Sequence, residues 1–418
     1  METQATPMDR RTGRLQVRVY TVDEGAPVSN VNVHITPHNS FETVEVLTSD
    51  TAGLTPVVDL DAPPVEFSLT PETQVMPYAE YDIYALAQDF QPVLIKGAQI
   101  LSDVTAVQKI ILRPEVRLRT TTRDIYVPPH TLWGEFPPKI PEDEVKELPP
   151  GQGLVVLPQP VIPEFMVVHL GRPEDTSAQN VWVPFKDYIK NVASCEIYST
   201  WPQQAIRANV LAILSFALNR VYTEWYRGKG YNFTITNSTA FDQAFSYGRN
   251  IFHNISLIVD ELFTTFVTRP GIRQPLFTQF CDGARVSCPR WLEQWGSKRL
   301  AEQGLDALSI LRHYYGQNVF LLQAERVSGV PMSFPGVVLT IGSTGPAVRT
   351  IQQQLNAIAD KYPAINKVRV DGRFGPETAE AVRRFQQVFG LPVTGSVDFA
   401  TWYEISNIFV AVERLAEL

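Results

Sequence analysis

Few side chains of this 418-residue chain have types and spacing that could do chemistry. Cys281 and Cys288 flank DGARVS, a spacing open to a disulfide, to metal ligation or to two free thiols. Zinc normally takes four ligands. No histidine stands among Phe277-Thr278-Gln279-Phe280, and His253 and His313 are distant in sequence, so no metal is expected. Cys195 has no matched histidine that would make it a nucleophile and reads as a small buried residue. Its neighbour Glu196 stands close to Tyr198 and Trp201, rings that could take a carboxyl out of water. A carboxyl works as a general acid near neutral pH where burial keeps it protonated, and a nearby helix N-terminus opposes that.

The elements that must position these groups follow from periodicity. Leu15, Val17 and Val19 alternate with Gln16, Arg18 and Tyr20, the period of a half-buried strand. Val31, Val33 and Ile35 repeat it, and further runs at Glu80–Ala87 and Val107–Leu112, separated by turn signals, predict a small β-sandwich over 1–113. Residues 114–163 break the pattern: ten prolines fall between Pro128 and Pro163, around the acidic run Glu142-Asp143-Glu144. Proline fixes φ and removes a donor, so this stretch reads as an extended connector. Its segment KELPPGQGLVVLPQP has the composition that proteases cut.

From 164 to 330 the chain reads as mixed α+β. A strand-like FMVVHL precedes Trp182–Tyr188, and helices are expected at Pro202–Trp225, at about Asn250–Val267, near Ser297–Leu300 and in ALSILRHYY. The last unit, 337–418, shows amphipathic helices at Pro346–Lys361 and Pro376–Phe389, with core faces Val348, Ile351, Leu355 and Ala381, Val382, Phe385. At roughly 100 to 200 residues per domain, the length suits such a multidomain chain.

The formal charge is −8, from 36 basic and 44 acidic residues, which argues against a nucleic-acid partner. It is uneven: residues 1–163 hold 12 basic against 22 acidic, 164–330 hold 16 against 14, and 331–418 hold 8 against 8. No run of about 18 apolar residues appears, so no membrane span is expected. The opening METQATPMDRRTGR lacks the apolar core of a secretory signal, which points to cytoplasmic synthesis.

Several blocks resemble known families. IGSTGPAVRTIQQQLNAI and VRVDGRFGPETAEAVRRFQQVFGLPVTGSVDFATW are similar to the three-helix peptidoglycan-binding domain of bacterial wall hydrolases. The resemblance implies peptidoglycan as partner, with Asp371 and Phe374 as contact residues. The N-terminal strands resemble transthyretin-like domains, which imply no chemistry. VPFKDYIKNVASCEIYSTWPQQAIRANVLAILSFALNRV, NSTAFDQAFSYGR and QWGSKRLAEQGLDALSILRHYYG resemble successive blocks of SpoIID/LytB-type proteins. The order of the three parts, connector included, is similar to that of the clostridial spore cortex-lytic enzymes.

That likeness implies a lytic transglycosylase of spore cortex peptidoglycan, needing no cofactor. It implies production in the mother cell, a location at the spore, and activation by a subtilisin-like germination protease that cuts near Gln152-Gly153. Glu196 would be the acid and then the base, and Asp242 would orient it or the sugar, or cap a turn. Tyr198, Trp201, Gln243, Gln294, Trp295 and Tyr315 would line the cleft. The N-terminal unit would inhibit, assist folding or localise. Alternatives are a non-catalytic enhancer of a separate wall hydrolase and a two-carboxylate glycosidase.

Overall fold

The computed structural model describes residues 11–22, 26–115, 122–147, 159–332 and 334–416. Two sheets form the N-terminal unit. In the first, β1 (Arg11–Thr21) pairs antiparallel with β4 (Val58–Ala62) and parallel with β7 (Thr105–Leu112). In the second, β2 (Asn32–Pro37) lies between β3 (Glu45–Thr48) and β5 (Ala79–Leu86), followed by β6 (Val93–Ile100) and β8 (Arg123–Tyr126). The period-2 reading holds for Leu15, Val17, Val19, Val31, Val33 and Ile35, all fully buried; Tyr20, expected on the outer face, is buried too. A bulge between Tyr81 and Ile83 lets Asp82 accept the amide of Gly97 at 3.0 Å, and Gly97 takes φ +81°, which glycine adopts without strain.

This unit does not end where the prolines begin. The antiparallel edge of β7 is completed by β13 (Ile251–Phe252), from the middle of the chain. Gln99 and Asn250 exchange two hydrogen bonds, amide N to Oδ1 at 2.9 Å and Nδ2 to carbonyl at 2.8 Å. The Trp201 indole donates to the Ser68 carbonyl at 2.9 Å.

The middle region begins with β9 (Val161–Ile162), paired with β18 (Arg326–Val327), and β10 (Phe165–His169), which lies between β11 (Asn180–Pro184) and β12 (Ile235–Thr236). Then come α1 (Phe185–Glu196) and α2 (Gln203–Tyr222). The helix starts directly after Pro184, inside the Trp182–Tyr188 stretch, and every residue of α1 except Asp187 is buried. Its inward Lys186 and Lys190, one turn apart, disguise the helical stripe. Within the expected Pro202–Trp225, α2 is buried on all sides, as suits the axis of a domain.

Around α2 pack α3 (His253–Leu262), α4 (Gln294–Glu302) and α5 (Ala307–Tyr315). The helix expected over Asn250–Val267 is shorter because β13 precedes it and β14 (Thr265–Thr268) follows, paired with β17 (Phe320–Gln323). Further on, β15 (Phe280–Cys281) pairs with β16 (Leu292–Glu293). Cys281 and Cys288 are joined as a disulfide, and Cys195 is buried and free.

The C-terminal unit holds α6 (Pro346–Ala359), α7 (Pro376–Phe389) and α8 (Phe399–Ala416). Val348, Ile351, Leu355, Val382, Phe385 and Trp402 are fully buried and form its core. It rests on the middle region through Phe263 against Phe399 and Tyr403, and through Lys186, which pairs with both Asp260 (3.1 Å) and Glu404 (2.5 Å). No helix among the described residues is long and apolar enough to cross a membrane.

Candidate functional site

Glu196 is the last residue of α1, so the chain turns away just after it and leaves the carboxyl facing the loop before α4 and the loop around residue 244. Its Oε1 accepts the Ala244 amide at 2.9 Å and its Oε2 accepts Gln294 Nε2 at 3.1 Å. The same Nε2 donates to the Glu196 backbone carbonyl at 2.9 Å. Three sequence blocks spread over almost a hundred residues thus meet at one carboxylate. Beside it, Trp201 and Trp295 stand 4.8 Å apart between ring centroids, with Tyr198 6.1 Å from each. Gln243 accepts the Tyr188 hydroxyl at 3.2 Å and donates to the Ile213 carbonyl at 3.1 Å, which holds the loop that presents Ala244.

Asp242 belongs to a different network. Its oxygens accept Arg220 Nε (2.8 Å), the Tyr226 hydroxyl (2.6 Å), and both the amide (2.9 Å) and hydroxyl (2.8 Å) of Thr236. With four donors and no exposure, it ties the turn after β12 to α2. Tyr315 donates to the Gln279 carbonyl at 2.8 Å and is 5% exposed, and Phe374 is 2% exposed in the C-terminal core. Both are as buried as Tyr198, Trp201, Gln294 and Trp295. Asp371 is partly exposed.

Sequence reasoning missed the strap. Residues 128–147 of the proline-rich stretch lie across the middle region. Both the Thr131 amide (3.2 Å) and hydroxyl (2.8 Å) donate to the Cys195 carbonyl, and the hydroxyl is 3.4 Å from Glu196 Oε2. His130 stacks on Tyr198 at 4.4 Å. Arg285, inside the disulfide loop, donates to the carbonyls of Thr131 (2.7 Å), Trp133 (3.1 Å) and Gly134 (2.9 Å).

Lys139 is half-buried, and its ammonium donates to the Asp242 carbonyl at 2.5 Å. Burial pushes that ammonium below the ordinary lysine value, against the pull of Glu196 and Asp242. Downstream, Glu142 forks onto Arg220 (2.6 and 3.0 Å), and Lys146 exchanges two backbone bonds with the Gln274 side chain. Under this strap Glu196 is 4% exposed. Proline-rich composition reads as linker, and nothing local in PPKIP marks Lys139 as buried beside two carboxylates. Gln152 and Gly153, the expected cleavage point, lie outside the described residues.

Among the described residues no group of three or more His, Cys, Asp or Glu is placed to hold a metal ion. Residues 344–405 match the family model described as "Putative peptidoglycan binding domain". The C-terminal unit therefore carries the sequence pattern of that domain. The chain is 40% identical over 71 residues to the zinc D-Ala-D-Ala carboxypeptidase of Streptomyces albus G, covering 17% of this chain and 26% of that protein. It thus spans about a quarter of that relative. Among solved structures, the SleB N-terminal domain is 36% identical, with 18% of this chain and 93% of that one covered and a TM-score of 0.15. The Bacillus anthracis TIE protein is 10% identical over 25% of this chain and 17% of that one, at a TM-score of 0.18. At such scores neither superposition assigns a fold.

Proposed function

We propose that the protein is a wall-bound lytic transglycosylase of spore cortex peptidoglycan, produced in a closed form and opened by a protease that cuts within 148–158. The observation that carries this reading is the convergence on Glu196 of the Ala244 amide, Gln294 and the Tyr198–Trp201–Trp295 cluster. The wall-binding module at residues 344–405 supports the substrate class.

One positioned carboxyl suffices for this reaction. The Glu196 proton passes to the glycosidic oxygen as the bond from that oxygen to the anomeric carbon breaks. The carboxylate then takes the proton of the sugar's own 6-hydroxyl as that oxygen bonds the anomeric carbon. The product is a 1,6-anhydro ring, the carboxyl is regenerated, and no water is consumed. Asp242, spent on four donors, is not needed as a second carboxylate. The strap must leave, because Thr131 and His130 occupy the approach to Glu196 and Tyr198. Cutting beyond Glu147 frees the strap's C-terminal end. The excess of acidic residues in 1–163 would depart with it, easing the approach of the remainder to an anionic wall.

The deciding experiment incubates intact and cut protein with cortex sacculi and identifies the products by mass spectrometry. Anhydro-muropeptides from the cut form, lost in Glu196→Gln, are the expected result. Reducing-end products would replace this reading with a two-carboxylate hydrolase. Absence of any product would leave the second reading, a non-catalytic enhancer of another wall hydrolase, which the deep burial of Glu196 favours.

A further inference from the structure

The C-terminal unit carries an open cavity of about 640 Å³ between the turn before α6 and the Asp371–Arg373 turn. Its walls include Thr344, Arg349, Gln353, Asp371 and Arg373, and they contain no aromatic side chain. Phe374, the ring next to it in sequence, points into the core. A pyranose therefore finds no ring face here to stack on. What the cavity offers is charge of both signs in a small space.

The two guanidiniums are differently held. Arg349 donates to the carbonyls of Val370 (3.2 Å) and Asp371 (3.3 Å), which uses two of its five donors and fixes the direction of its fork. Arg373 enters no ion pair among the described residues, so its whole fork is available. Asp371 accepts the Arg373 amide (2.9 Å) and Gln352 Nε2 (3.1 Å) on Oδ1 alone. Oδ2 accepts no hydrogen bond among the described residues. Those two bonds, the amide first, hold the Asp371 carboxyl below its usual value and therefore ionised. Gly372 shapes the floor: a Cβ there would come 3.3 Å from the Gly345 carbonyl and 3.5 Å from Arg349 Nη2.

We propose that this cavity binds an amino-acid zwitterion, the free ammonium and carboxylate that a diaminopimelate side chain of a stem peptide carries when it is not crosslinked. The carboxylate lies on Arg373 and Arg349, a geometry that guanidinium matches with paired donors, and the ammonium lies on Asp371 Oδ2. Crosslinking turns that ammonium into an amide and removes half of the recognised feature. The module thus reads peptide rather than glycan, and it favours sparsely crosslinked wall. This inference rests on the peptidoglycan-binding reading of residues 344–405 and specifies its ligand.

The test is calorimetric titration of the full chain with four probes: disaccharide-tripeptide ending in meso-diaminopimelate, the same muropeptide with that side-chain carboxyl amidated, free meso-diaminopimelate, and peptide-free chitotetraose. The free-acid muropeptide is expected to bind. The amidated form and the variants Arg373→Ala and Asp371→Asn should bind it about tenfold or more weakly, the factor of one charge-assisted hydrogen bond. Chitotetraose should neither bind nor compete. Free diaminopimelate binding as tightly as the muropeptide would show that the zwitterion alone supplies the affinity, within the proposal. Arg373→Lys, which keeps charge but not the fork, guards against a folding artefact at Asp371. Chitotetraose binding as tightly as the muropeptide, or equal binding of the amidated form, overturns the proposal. Sedimentation with whole sacculi separates the two levels. A chain that does not sediment defeats the peptidoglycan reading, whereas one that sediments equally with and without Arg373 and Asp371 defeats only the zwitterion.

Discussion

Gln294 grips Glu196 twice, its Nε2 donating to the backbone carbonyl at 2.9 Å and to the carboxylate at 3.1 Å. Gln294 is the first residue of α4 and Glu196 the last of α1, so this pair sets the carboxyl's direction from two rigid ends. Replacing Gln294 by Ala leaves a buried carbonyl and a buried carboxylate short of a donor. The expected cost is about 1–3 kcal/mol of stability. On the proposed transglycosylase reading, turnover on sacculi should fall about a hundredfold, because misplacement of a reacting group by an ångström has that effect. Urea unfolding and product release measured on the same preparation check both. Unchanged turnover in a destabilised variant would remove Gln294 from the positioning of Glu196.

On the proposed reading, a cut within 148–158 leaves the contacts between the N-terminal fragment and the rest in place. The β7–β13 pairing, the Gln99–Asn250 exchange, the Trp201–Ser68 bond and the Glu142–Arg220 fork all persist across such a cut. The N-terminal fragment should therefore co-elute with the rest on gel filtration. Glycan cleavage should rise only as the fragment is lost, faster in Thr131→Ala. Separation of the fragments on simple dilution, or full activity while they still co-elute, would count against the strap as the barrier.

His130 makes stability depend on pH. Burial, with help from Arg249 and Arg285, pushes its imidazole well below 6.5, whereas the unfolded chain titrates near that value. Between the two values the unfolded state binds the proton and the folded state does not, so stability falls as pH drops below about 6.5, with a slope near 1.4 kcal/mol per unit for one proton. His253, also lowered chiefly by burial, adds in the same direction. Denaturant titrations at several pH values between 5 and 8 should show a shallower dependence in His130→Gln. Parallel curves for variant and parent would exclude the effect.

Asp260 holds two lysines and, through one of them, the C-terminal unit. It pairs with Lys190 at 2.8 Å and with Lys186 at 3.1 Å, and Lys186 also reaches Glu404 on α8. Asp260→Ala strands the buried Lys190 ammonium, leaves Lys186 with Glu404 alone and should cost about 3–5 kcal/mol, whereas an apolar replacement of Asp260, Lys186 and Lys190 at similar volume should recover much of it. Thermal unfolding of the single and triple variants decides. Equal midpoints for Asp260→Ala and the parent would show that the cluster carries no such burden.

Local spacing made part of this molecule legible. The turns and core faces of α6 and α7, the alternation of β1 and β2, and α5 are all written within a few residues, because a helix or strand buries its face at a fixed period. The blocks around Glu196, Asp242 and Gln294 were visible as blocks. Which of them touch was not. Only the folded chain places Ala244 and Gln294 on Glu196, spends Asp242 on Arg220, turns Phe374 inward and lays Thr131 over the candidate acid. These contacts join residues from about twenty to a hundred positions apart, and no periodic pattern records them. They exist because burial demands a partner for every polar group, and that demand is met by whichever distant segment closure of the chain brings within reach.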